Sequence, residues 1–194
     1  ENTRVFHVGS LSLTDDPSRT ATYEAINIAR NSGAVISYDP NYRAALWSDP
    51  ETAQLRMQSL IPYVDMMKIS DEETSLLTPY QDPEEAIQYL LRQGVHLVAV
   101  TLGRDGALIG NENGIIKAEG FSSHAVDTTG AGDSFWGGFL ASYLQEETSP
   151  EHLTRAQMIQ FGRVGNAVAS LCVERRGGIS AIPEMEEIEE RLRG

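Results

Sequence analysis

Three times in the first half of the chain, a short apolar run gives way to an Asp-Pro pair and then to a helical pattern. "VFHVGS" precedes "DDPSRTATYEAINIARNSG", "AVISYD" precedes "SDPETAQLRMQSLIPYV", and "DMMKIS" with a short helical "SDEETSLLT" precedes "DPEEAIQYLLRQG" and the strand-like "LVAVT". An acid ahead of a proline near the first helical position is a helix start, and Gly33 is a helix stop. In the first helix Ala21, Ala25, Ile28 and Ala29 recur at helical spacing, which leaves Arg19, Glu24 and Arg30 for the wetter faces. Strands alternating with helices imply right-handed βαβ crossovers and a parallel sheet covered on both faces. The chain is therefore expected to be an α/β domain.

The texture changes after Gly103. "ALIGNENGIIKAEG" places two short apolar runs around Asn113-Gly114, a two-residue hairpin signal. Two long helices follow, the second with Phe161, Val164, Val168, Leu171 and Cys172 on one face. The tail carries Met185, Ile188 and Leu192 as an apolar stripe, with Glu187→Arg191 and Glu189→Arg193 at i,i+4. A length of 194 residues, 41% of them hydrophobic, without repeats or a linker-like tract, predicts one domain over 1–194.

Twenty-eight acids against 15 bases, a formal net charge of −13, oppose attraction to nucleic acid or an anionic membrane. No apolar run is long enough to span a bilayer and no secretory signal opens the chain, so a cytoplasmic protein is expected. The single cysteine, Cys172, lies in a helical apolar pattern and reads as a small buried hydrophobe. His7, His96, His124 and His152 show no ligand spacing.

Chemistry concentrates in "DTTGAGDSFWGGFL", residues 127–140. Gly130, Ala131 and Gly132 remove side-chain bulk where a helix begins, and the N–H groups and partial positive charge of a helix start form a seat for an anion such as phosphate. Asp133 beside that seat is either an N-cap or a base. Neither a Walker P-loop nor a G-x-G-x-x-G after a strand occurs, so phosphate would have to be held differently. Elsewhere, "TLGRDG" with Thr101, Gly103 and Gly106 reads as a tight turn between strands. Ser70 and Glu73 of "SDEE" have the spacing of a capping box. Lys68 at a strand end is either a phosphate-meeting cation or a surface lysine. Arg43 of "DPNYR" either recognises an anionic group or pairs internally with Asp39.

"DTTGAGDSFWGGFL" resembles the second signature of the PfkB (ribokinase-like) family of carbohydrate kinases, and "VTLGRDGALI" resembles its nucleotide-side loop. "FHVGSLSLT", "SYDPNYRAALW" and "KISDEE" resemble segments of bacterial and plant fructokinases in the same order, so the resemblance covers nearly the whole chain. It implies a ribokinase-like three-layer α/β/α fold with a mostly parallel central sheet. It also implies ATP-dependent phosphorylation of a sugar hydroxyl, with fructose going to fructose 6-phosphate. Asp133 would be the base, with the N–H groups of Gly130, Ala131, Gly132 and Asp133 as the anion hole. A carboxylate is a weak base for an alcohol, but in a loose transition state the proton leaves late and little basicity is needed.

The resemblance further assigns Thr101, Gly103, Gly106 and Asn166 to the nucleotide, and Lys68 and Glu73 to its phosphate and magnesium side. Ser70 departs from the family's N-x-x-E there. Asp39, Asn41 and Arg43 fall to the substrate, and Asp127, Thr129, Cys172, Arg175, Gly177 and Ala181 to a monovalent cation such as K⁺. Magnesium would arrive with ATP and keep most of its waters. "DPNYR" equally resembles 2-keto-3-deoxygluconate kinases, in which the arginine would meet the substrate's carboxylate. That enzyme, another PfkB-family sugar kinase, and a nucleotide-binding fragment without turnover are the alternatives. Residue 1 aligns with the middle of the family pattern, so the N-terminal strands, sugar-binding Gly-Gly motif and lid are expected to be missing. A homodimer through that lid is a partner arrangement the resemblance implies.

Overall fold

Each Asp-Pro pair stands at a helix start. In the computed structural model, which describes residues 3–194, β1 (Val5–Gly9) is followed by α1 (Ser18–Asn31) and β2 (Val35–Asp39) by α2 (Pro50–Gln58). Next, β3 (Met66–Ser70) is followed by the short α3 (Thr74–Leu77) and α4 (Pro83–Arg92), and β4 (Leu97–Thr101) comes last. Asp49 caps α2 by accepting the Thr52 N–H at 2.7 Å, and Asp82 caps α4 by accepting the Glu85 N–H at 3.0 Å. Pro50 and Pro83 are the first helical residues, where no N–H is needed. Pro17 lies one step earlier, at the N-cap of α1, while Asp16 accepts the Thr20 N–H at 3.2 Å.

The buried face of α1 is not the one its alanines suggest. Thr22 and Ile26 are buried, whereas Ala21 is exposed and Ile28 is 68% exposed. Thr22 can turn inward because its hydroxyl bonds the Ser18 carbonyl at 2.8 Å and the Ser12 hydroxyl at 2.8 Å. A hydrogen-bonded threonine carries its methyl into a core as readily as an alanine does.

The chain divides into two compact units, one ending at Ala99 and the other beginning at Val100. The strand order is β1-β2-β3-β4-β5-β6, with β4 running through the boundary. In the first unit β1 pairs parallel with β2 (Val5 opposite Val35) and β2 parallel with β3 (Ser37 opposite Met66). Ile36, Tyr38, Met66, Met67, Ile69, Leu97, Val98 and Ala99 are all fully buried. Such unbroken burial is the mark of strands covered on both faces.

The second unit contains the antiparallel pair β5 (Ala107–Asn111) and β6 (Gly114–Ala118), then α5 (Ala131–Tyr143), α6 (Arg155–Cys172) and α7 (Met185–Arg193). Asn111 pairs with Gly114, so the hairpin turn is Glu112-Asn113, one residue earlier than the Asn-Gly signal indicates. The shift follows from Asn111, whose carboxamide oxygen accepts the Asn113 N–H at 2.9 Å while its nitrogen bonds the Leu153 carbonyl at 2.8 Å. Between α5 and α6, Trp136 stacks on Phe139 with centroids 5.0 Å apart, and Phe139 meets Phe161 edge to face at 5.7 Å. The helices approach closely at Gly165, where a Cβ would lie 2.7 Å from the Phe135 carbonyl oxygen.

On α7, Ile188 is buried and Leu192 packs with it against Ala167, Val168 and Leu171, but Met185 is 65% exposed. Glu189 pairs with Arg193 at 3.9 Å, whereas Arg191 turns to Glu174 at 3.0 Å and Glu187 to Arg175. Tertiary partners thus take the place of the helical Glu187–Arg191 pair. No helix among the described residues is long and apolar enough to cross a membrane.

Gly165→Ala inserts a methyl against immobile backbone and should lower the unfolding free energy by about 1–3 kcal/mol. Urea denaturation of the two forms measures this.

Candidate active site

In the second unit α5 begins on Gly130, whose backbone is left-handed (φ +78°, ψ 5°), a conformation disfavoured once a Cβ is present. A Cβ there would also press on Gly178 Cα at 3.3 Å. The glycine motif therefore serves a chain reversal seated against another loop. Gly130 occupies the cap position, so Asp133 is not the N-cap; it is the third helical residue, exposed in the first turn.

The first intrahelical bond is Ser134 N–H to Gly130 O at 2.8 Å, and the Ala131 N–H is donated to Thr128 O at 3.2 Å. The Gly132 and Asp133 N–H groups find no acceptor among the described residues. Two open amides, the positive end of a 13-residue helix and an exposed carboxylate thus share one turn. Chemically, such a turn can attract an anion and accept a proton beside it.

Asp127 fixes the approach to this turn. Its Oδ1 accepts the Thr129 N–H at 2.9 Å and its Oδ2 accepts the Gly177 N–H at 3.0 Å, joining the segment before α5 to the one after α6. Val173 O reinforces the junction by accepting from Val126 N at 2.7 Å and Asp127 N at 3.2 Å. Hydrogen bonds from Thr129, then from the Gly177 amide, lower the Asp127 carboxyl to about 2. Cys172 is buried, with Sγ 3.9 Å from Thr129 O, and its carbonyl accepts the Arg175 N–H at 3.2 Å. Ala181 is buried at the end of a single 3₁₀ turn, Ile179–Ala181. The residues assigned to a monovalent cation thus lie along the two loops that Asp127 joins, at the last residue of α6 and in the 3₁₀ turn that follows. Among the described residues, no group of three or more His, Cys, Asp or Glu side chains could hold a metal.

"TLGRDG" forms a tight turn: Leu102 N–H meets Gly106 O at 2.8 Å and Asp105 N–H meets Leu102 O at 3.1 Å. Gly106 (φ +91°) has no room for a side chain, because a Cβ would lie 2.1 Å from Ala118 O. Gly103 opens the turn's 3₁₀ segment, and Thr101 ends β4 just before it. Asn166 is buried in α6 and donates its amide to Ala118 O at 2.9 Å and Glu119 O at 3.0 Å, so it ties the helix to the end of β6.

In the first unit, β2 and β3 end in a second polar cluster. Lys68 is no surface lysine: it is buried, and its Nζ lies 2.9 Å from Asp39 Oδ2, which is buried too. Arg43 is exposed, and its guanidinium donates to Tyr42 O at 3.1 Å. Ser70 and Glu73 form the predicted capping box. Glu73 does more than cap, because its second oxygen accepts the Tyr42 N–H at 2.8 Å. No sequence signal marks that bond, since a backbone donor leaves no trace in residue identity. The same holds for the carbonyls of Thr128 and Val173.

Two outcomes are expected. Lys68→Met strands a buried carboxylate and should cost about 3–5 kcal/mol of stability, measured by urea denaturation. The Asp127 carboxyl should titrate with a midpoint of about 2 by carbon NMR rather than at the usual 3.8. Because its pKa is depressed, its contribution to stability is complete above the ordinary value and is lost as pH falls through about 2.

The pfkB family carbohydrate kinase model matches residues 1–185. Probable fructokinase-4 of Arabidopsis thaliana is 36% identical over 193 residues, covering 98% of this chain and 58% of that protein. The fructokinase of Vibrio cholerae O395, solved with fructose, ADP and calcium, superposes with a TM-score of 0.91 at 31% identity, over 99% of this chain and 61% of that one. The aminoimidazole riboside kinase of Salmonella enterica, solved with aminoimidazole riboside and an ATP analogue, gives a TM-score of 0.87 at 26% identity, over 98% and 63%. The chain thus spans about three-fifths of the length of these relatives. On the family match and the whole-chain fold agreement, this chain belongs to the pfkB family of carbohydrate kinases.

Proposed function

We propose that the protein containing this chain transfers the γ-phosphoryl group of ATP to a sugar hydroxyl, with fructose as acceptor and fructose 6-phosphate as product. The observation that carries this reading is the exposed Asp133 in the same helical turn as the unpaired N–H groups of Gly132 and Asp133. Phosphoryl transfer asks a protein mainly for positioning and charge stabilisation, and this turn offers both. Asp133 takes the hydroxyl proton as the sugar oxygen bonds to phosphorus and the bridge to ADP breaks. The open amides and the helix dipole meet charge on the phosphoryl oxygens, with the left-handed Gly130 and then the first helical residue, Ala131, setting their direction.

Thr101, Gly103, Gly106 and Asn166 are proposed for the nucleotide side, and Asp39, Asn41 and Arg43 for the sugar side, as the family resemblance assigns them. Magnesium, held chiefly by the nucleotide's phosphates, would neutralise their charge. Asp127, Thr129 and carbonyls near Cys172, Arg175, Gly177 and Ala181 are proposed for K⁺. Fructose is favoured by the likeness to fructokinases. A keto-acid sugar is the second reading, favoured by the exposed Arg43 guanidinium, whose planar fork suits a carboxylate.

The test is sugar-dependent ADP release from MgATP by the full-length protein, with fructose and 2-keto-3-deoxygluconate offered separately. Asp133→Ala should lower kcat by roughly 10²–10⁴-fold while nucleotide binding persists. Preference for the keto-acid moves the assignment to the second reading. Nucleotide binding without release in the presence of either sugar sinks both.

A further inference from the structure

We propose that Glu73 is a positioning residue that locks the Asn41-Tyr42 turn after β2, and that this brace sets affinity for the sugar rather than for magnesium or nucleotide. The second half of the proposal rests on the sugar-kinase reading above; the first half stands on geometry alone. A capping box accounts for one Glu73 oxygen, Oε2, which accepts the Ser70 N–H at 2.9 Å and the Ser70 hydroxyl at 3.0 Å. It does not account for Oε1, which reaches 31 residues back to the Tyr42 N–H at 2.8 Å. Both oxygens thus face donors of the chain, leaving the carboxylate poorly placed to serve as a ligand for a divalent cation.

What the brace holds is a conformation the turn would not adopt freely. Asn41 has φ +49°, a left-handed backbone that non-glycine residues seldom occupy. Its neighbours are tied on every side. Asp39 Oδ1 accepts the Asn41 N–H at 3.2 Å, Lys68 neutralises Asp39 Oδ2, and the Ser10 N–H and hydroxyl both meet Pro40 O. Asp39, Pro40, Asn41 and Tyr42 therefore each carry a contact that fixes the loop, and Glu73 supplies the last one before Arg43. Residues that meet a ligand are effective only when a surrounding shell holds their geometry, and this set of contacts is such a shell.

Glu73→Gln keeps the size but turns one acceptor into a donor that faces another donor. In the full-length protein, hydrogen exchange at the Tyr42 amide should accelerate roughly tenfold, the scale of one lost charge-assisted hydrogen bond. The sugar KM should rise by a similar factor, with the MgATP KM and the Mg²⁺ activation midpoint changed less than about twofold. Glu73→Asp, too short to span both partners, should reproduce the pattern and stands in if the glutamine variant does not fold. Unchanged Tyr42 exchange, or a shift in Mg²⁺ or MgATP dependence without one in sugar KM, overturns the proposal. If the wild-type protein shows no sugar-dependent ADP release, the kinase reading fails, and the exchange experiment still decides whether Glu73 braces the turn.

Discussion

Every backbone N–H removed from water needs an acceptor, and at several bends of this chain a side-chain carboxylate supplies it. Asp49 and Asp82 cap helices, Asp65 accepts the Ile36 N–H at 2.7 Å, Asp39 and Glu73 hold the Asn41-Tyr42 turn, and Asp127 joins Thr129 to Gly177. The acid excess is thus partly structural. Against that background the start of α5 is an exception: Gly132 and Asp133 offer two amides, an acid is adjacent, and no bond joins them to it. A helix start left open where others are closed is suited to a ligand with negative charge.

The two units handle charge differently. In the first, Lys68 and Asp39 are both buried and neutralise one another. Such a pair adds little net stability, but it cannot lose one member without leaving a charge in the interior. Tyr38 reflects the same surroundings: burial, and then the Asp39 and Glu73 charges, push its hydroxyl well above the usual range. In the second unit Asp133 stays in water, and the bracing acid, Asp127, is held ionised by hydrogen bonds. Rigidity comes from the braces, and the exposed carboxylate of Asp133 is not one of them.

Much of the fold was legible because its signals are local. Asp-Pro helix starts, the Gly33 stop, the Ser70–Glu73 capping box and the buried strand runs depend on residues within a turn of each other. The glycine turn and its acid were legible for the same reason. The failures share a cause as well. The face of α1, the hairpin turn, the partner of Arg191 and the burial of Lys68 were each decided by a residue far along the chain.

The sequence by itself determined the alternation of strands and helices, the place where a helix opens on glycines beside an acid, and the family. These follow from periodicity, special backbone conformations and motif spacing, all of which are written in consecutive residues. Only the tertiary structure decided which amides stay open and which carboxylates are already engaged. It made Gly130 the cap and freed Asp133 from that role, paired Lys68 with Asp39, and turned one oxygen of Glu73 to Tyr42. The physical reason is that hydrogen-bond satisfaction is a property of neighbours in space, and backbone donors and acceptors are identical at nearly every position of a sequence.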